Sequence, residues 1–125
     1  MELIAVTLFI LKHTIADYFT QYSWMIKDKA TYGAFGGLAH AGWHGVLTSV
    51  IVWHLTILSL FPVILFGLLD SIIHYHIDYA KSNVWKHKKY TSEDQMYWVI
   101  HGVDQMLHFL TYIFIIWILI KISAI

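Results

Sequence analysis

Residues 63–80 read Val-Ile-Leu-Phe-Gly-Leu-Leu-Asp-Ser-Ile-Ile-His-Tyr-His-Ile-Asp-Tyr-Ala, an apolar run broken at a fixed step. Asp70, His74 and Asp78 stand four residues apart, and Lys81 follows three later. Residues four apart on an α-helix lie about 40° apart around the axis and about 6 Å apart along it. The three polar groups therefore form one stripe on an otherwise apolar rod. Such a run is close to the roughly 20 residues that a bilayer span requires.

The flanking sequence repeats the pattern. Pro62 stands just before this run, where proline favours the first turn of a helix. Upstream, a second apolar stretch covers about 34–61, and the two are read as a tight antiparallel hairpin. The N-terminal stretch, about 3–26, is too long, and too polar in its second half, for a cleaved leader, so it is read as a span. After the polar run 81–94, read as a loop, Ser92 and Gln95 have the spacing of a capping box. They open a last span over about 95–120. Barrel strands are about 10 residues long and alternate strictly, which residues 109–120 do not. The expectation is one all-α domain over 1–125, a polytopic membrane protein built as a four-transmembrane-helix bundle. Spans are placed at 3–26, 34–61, 62–80 and 95–120.

Composition agrees. Of 125 residues, 58% are hydrophobic and 13% charged, against about 45–50% and 25% in soluble domains. The net charge of zero shows no basic footprint for nucleic acid. The absence of cysteine excludes disulfides and thiolate chemistry. Lys27, Lys29, Lys81, Lys86, Lys88 and Lys89 fall in the loops of one side, which the positive-inside rule makes cytoplasmic, with both termini outside an inner membrane.

Nine histidines are a surplus in so apolar a chain. His13, Asp17 and Gln21 are spaced by four on the first span. His40 and His44 lie on the second, and His101, Asp104, Gln105 and His108 on the fourth. Given alternating helix direction, all four stripes fall at one depth, in the cytoplasmic half. A charge at the bilayer centre costs about 2.5–3.5 kcal/mol on insertion scales, so Asp17, Asp70, Asp78, Asp104 and Lys12 must pair, bind a cation or line water. Imidazole and carboxylate donors suit Zn²⁺, Mn²⁺ or Fe²⁺. The expected ligands are His13, Asp17, His40, His44, His74, Asp78, Asp104 and His108, enough for one or two ions. Asp78 and Asp104 are the candidate catalytic carboxylates. Gln21, Lys81 and Gln105 would orient ligands or bind an anionic headgroup. With no serine or threonine nucleophile in a recognisable setting, the expected chemistry is metal-dependent hydrolysis of a lipid or lipid-linked phosphate or ester. The partners are then membrane lipid and such a substrate, and an oligomer is open. Two other readings stand beside it. The stripes can hydrogen-bond across helices as structure alone, in a structural or phage-related protein, or they can relay ions or protons as a channel or transporter.

The ordered series His13-x3-Asp17-x3-Gln21-x3-Met25-x3-Lys29, then His40, then His74-x2-Ile77-Asp78-x2-Lys81, then Asp104-Gln105-x2-His108 resembles the domain of unknown function 3307. That is a family of small bacterial and phage membrane proteins. The resemblance runs from Leu3 to about Ile115. It implies a shared fold and topology, and that these residues matter together, but no activity. Lys12 and His44 depart from the family's pattern.

Overall fold

The computed structural model of the chain describes residues 1–122 and 124–125. Its elements are α1 (Glu2–Thr14), a π-helical turn (Ile15–Phe19), α2 (Ser23–Asp28), α3 (Phe35–Leu55), α4 (Leu60–Lys88) and α5 (Gln95–Lys121). The fold is all-helical, with no strand among the described residues. α1 packs on α3 and α5, and α4 packs on the same two, so the four helices close a ring whose diagonal pairs do not approach. Neighbours run antiparallel. Along α3 and α4 the pairs Gly45–Gly67 and Gly37–Tyr75 progress in opposite directions, as do Lys81–Asp104 and Trp85–Tyr97 along α4 and α5. The space along the axis is left to long side chains.

α4 and α5 are long and apolar enough to cross a membrane. α3 has 21 residues, but His40, His44, His54 and four glycines lower its hydropathy, and α1 has 13.

Several element boundaries differ from those expected. The first segment is not one helix over 3–26. It widens into the π turn and breaks at Thr20–Tyr22 before α2. α3 ends at Leu55 rather than residue 61, and the hairpin turn is Thr56–Ser59, stapled by the Leu58 amide donating to Thr56 Oγ1 at 3.3 Å. Pro62 does sit in the first turn of α4. α4 runs on to Lys88, so Lys81–Lys88 is helix and not loop. The lysines there are good helix formers, and no glycine or proline interrupts them. At 29 residues, α4 is about 43 Å long at 1.5 Å per residue, longer than a bilayer core of about 30 Å. The Ser92–Gln95 capping box does not form. Asp94 is the residue that precedes α5, and its carboxylate accepts from the Thr91 amide at 2.8 Å and Thr91 Oγ1 at 3.1 Å.

Glycine sets the tightest packing. A Cβ on Gly45 would lie 2.5 Å from the Gly67 carbonyl oxygen, and one on Gly67 would lie 2.6 Å from that of Gly45. The two backbones therefore touch where α3 crosses α4, the close approach that small residues allow between membrane helices. At one end of the ring Ala5, Phe9, Val52, Val63, Ile115 and Leu119 form a closed apolar core. The polar groups occupy the other half.

Candidate metal centre

Among the described residues, twelve polar or charged side chains are buried, nearly as many as the apolar ones, and most meet between the helices. Asp17 is carried by the π turn, a widening that recurs at functional sites. Its Oδ1 lies 2.9 Å from His44 Nε2, 3.1 Å from His40 Nε2 and 3.9 Å from His74 Nε2. The Nε2 atoms of His40 and His74 are 3.2 Å apart. These four residues can each offer one ligand atom within 4.8 Å of the others, as can a second group, His74, Asp78 and His108. His74 belongs to both.

The π turn after α1, α3, α4 and α5 each contribute to these two groups. Six of the eight expected ligands fall into the two groups. His13 and Asp104 adjoin them without joining either. Gln105 Nε2 donates to Asp104 Oδ2 at 3.0 Å, which turns Gln105 Oε1 toward His13 Nε2 at 2.9 Å. That contact requires a proton on His13 Nε2. His13 Nδ1 then accepts from the Tyr112 hydroxyl at 2.8 Å. Both ring nitrogens of His13 are engaged, so it buttresses the site rather than offering a lone pair. Its Nε2 also lies 3.4 Å from Asp17 Oδ2.

Three lysines, Lys12 and Lys29 buried and Lys81 partly so, partner three of the four interior carboxylates. Lys12 pairs with Asp70, Lys29 with Asp78 at 2.6 Å and Lys81 with Asp104 at 2.7 Å. Thr48 Oγ1 also donates to Asp70, at 2.6 Å. Asp17 alone has no ammonium partner. Its neighbours are imidazoles. Each of Asp78 and Asp104 is anchored through Oδ2 by its lysine. Asp78 Oδ1, Asp104 Oδ1 and His108 Nε2 are buried without a hydrogen bond, and the imidazole nitrogen stands 3.6 and 3.5 Å from the two oxygens.

Lys29 and Tyr112 are site residues that the stripes did not identify. Lys29 was assigned to a loop, yet it is buried beneath the cluster. Its place four residues after Met25 in the first series was the available signal, as was Tyr112's place four after His108. His101 was counted on the fourth stripe. It lies outside the cluster, beside the rings of Trp85 and Trp98. Gln21 donates to the Asp17 carbonyl at 3.0 Å. With Lys29 and Lys81 it forms the inner wall of a cavity of about 390 Å³ that opens next to the cluster.

No curated protein and no solved structure matches the chain. The family model described as protein of unknown function, DUF3307, matches residues 5–124, so the chain belongs to that family.

Proposed function

We propose that this DUF3307 member is a four-span protein of the inner membrane whose buried His/Asp centre binds a divalent metal and hydrolyses a lipid or lipid-linked phosphate or ester. The observation that carries the metal is Asp17, a carboxylate with no ammonium partner, its side chain 8% exposed, whose Oδ1 three imidazole nitrogens surround within 3.9 Å. Tetrahedral zinc with bonds of about 2.0–2.1 Å sets its ligands about 3.3 Å apart, and the separations of 2.9, 3.1, 3.2 and 3.9 Å bracket that edge. Three histidines and one aspartate favour Zn²⁺, with Mn²⁺ or Fe²⁺ the neighbours in ligand preference. Sharing of His74 between the two groups makes one ion the simpler occupancy and a second ion on Asp78 and His108 an extension of it.

The membrane reading draws on the inverted distribution of side chains. Polar groups occupy one half of the interior, while large apolar residues such as Leu11, Val50, Leu68, Ile72, Leu110, Ile113 and Trp117 face outward. A bilayer solvates such a surface, whereas water penalises it. The Lys86–Lys89 segment then lies on the cytoplasmic side with the metal centre in the adjoining half, and both termini lie outside.

A bound divalent ion would supply an activated water and polarise a phosphoryl or carbonyl oxygen. Asp78 and Asp104 each have Oδ2 fixed by a lysine, while Oδ1 of each makes no hydrogen bond, that of Asp78 lying 3.6 Å from Lys81 Nζ, in place to hold or accept a proton beside His108. Gln105 fixes Asp104 and His13 together. Gln21 and Lys81 stand where an anionic group would enter. The apolar core around Phe9, Val52, Val63, Ile115 and Leu119 closes the outer half, which favours a one-sided site over a conducting path. Elemental analysis of protein purified in detergent without chelator tests the proposal. About one metal ion per chain is expected, and a metal-free preparation that also fails to take up added Zn²⁺ would sink it. Release of phosphate or fatty acid by the loaded protein tests the hydrolysis.

A further inference from the structure

Lys81 lines two cavities. The first, about 390 Å³, is walled by Gln21, Lys29, Lys81, Trp85, Trp98 and His101. It holds two lysines and two unpartnered buried atoms, the Trp85 Nε1 donor and Gln21 Oε1. Lys81 Nζ sits 5.3 Å from the Trp85 ring centre, and Tyr97 stacks on that indole at 4.3 Å. The second, about 270 Å³, is an apolar groove between α4 and α5 lined by Ile77, Val84, Val99, Val103 and Leu107, with Lys81 and Asp104 at its inner end. A chamber with lysines and an amide in its wall that shares one cation with an apolar groove has the character of an amphiphile's binding site.

Charge points the same way. With histidines neutral, the paired lysines Lys12, Lys29 and Lys81 stand against Asp17, Asp70, Asp78 and Asp104 between the helices, a balance of −1. A divalent ion turns that to +1, and an uncompensated charge at this depth is costly. An anion entering the chamber restores the balance. We infer that these cavities bind a lipid carrying a phosphate headgroup, with the phosphate beside Lys81 and Trp85 Nε1 and one chain in the α4–α5 groove. This rests on the metal-centre reading and names the substrate class for it.

The test is binding, separate from turnover. The Zn²⁺-loaded full chain in detergent is titrated with the phosphonate analogue of dioctanoyl phosphatidic acid, with dioctanoyl glycerol and with inorganic phosphate, and the first titration is repeated without Zn²⁺. The phosphonate lipid should bind at least about tenfold more tightly than either half-ligand, and more weakly without metal. Trp85→Phe, which removes the indole donor and keeps an aromatic ring of smaller size, should weaken it about tenfold. Val103→Trp, which fills the groove from the lipid-facing side, should weaken the lipid but leave inorganic phosphate unchanged. Unchanged metal content shows that both variants are folded. Equal binding of inorganic phosphate and phosphonate lipid, or indifference to both variants, overturns the inference. Binding of the analogue without cleavage of the corresponding phosphate ester keeps it and removes the hydrolase reading. Cleavage with an unchanged KM in both variants removes the inference and keeps the hydrolase.

Discussion

Lys12 Nζ lies 2.5 Å from Asp70 Oδ2, and both side chains are almost wholly buried, between the His/Asp cluster and the apolar core. Lys12 also reaches the His44 carbonyl at 3.3 Å and its Nδ1 at 3.4 Å, so this ion pair steadies one of the proposed ligands from behind. Removing one partner of a buried pair leaves an uncompensated charge and costs about 3–5 kcal/mol. Lys12→Met should lower stability by about that amount in detergent unfolding. Lys12→Met with Asp70→Asn should recover part of the loss. A single variant as stable as the parent would show that the pair is dispensable.

Asp17 should be the residue on which metal content depends most. Outer partners of metal ligands cost about 10–100-fold in affinity when changed, and Asp17→Ala should exceed that range. His54→Ala is the control, because His54 is exposed and bonded only to the Val50 carbonyl. Equal metal content in the two variants would remove Asp17 from the centre.

Gln105→Ala should act indirectly. It frees His13 Nε2 and Asp104 Oδ2 of their common partner, with an expected loss of about 10–100-fold in metal affinity or hydrolysis. The helical circular dichroism signal should stay at its parental value. A collapse of that signal would mean that Gln105 holds the bundle rather than the site.

The Gly45–Gly67 contact has no room for a side chain. Gly67→Val should force α3 and α4 apart, at about 1–3 kcal/mol or more. Metal uptake should fall with it, since those two helices supply His40, His44 and His74. Gly102→Ala is the matched control, because a Cβ there meets nothing within 4 Å.

Topology can be read directly in a chain that has no cysteine of its own. Lys88→Cys should be labelled by an impermeant thiol reagent only from the cytoplasmic side, and Ser59→Cys only from the opposite side. Labelling of both positions from one side would overturn the proposed arrangement.

The helical class and the polar stripes were legible in the chain, because the four-residue step and the apolar background are local properties. Boundaries were less so. Lys81–Lys88 looked like a loop because its charges end the apolar run, yet helix formation depends on propensity and not on polarity alone. The break at Thr20–Tyr22 carries no glycine or proline to announce it.

The sequence by itself determined that polar groups would converge and that they were too many to leave unpaired in an apolar chain. Only the tertiary structure decided the partners. It set Lys12 on Asp70, Lys29 on Asp78 and Lys81 on Asp104, turned His13 into a buttress, and left Asp17 facing three imidazoles. Periodicity fixes which side of a helix a residue occupies. Which carboxylate meets which cation depends on the rotation of each helix in the ring and on the contact between Gly45 and Gly67, and no single helix encodes either.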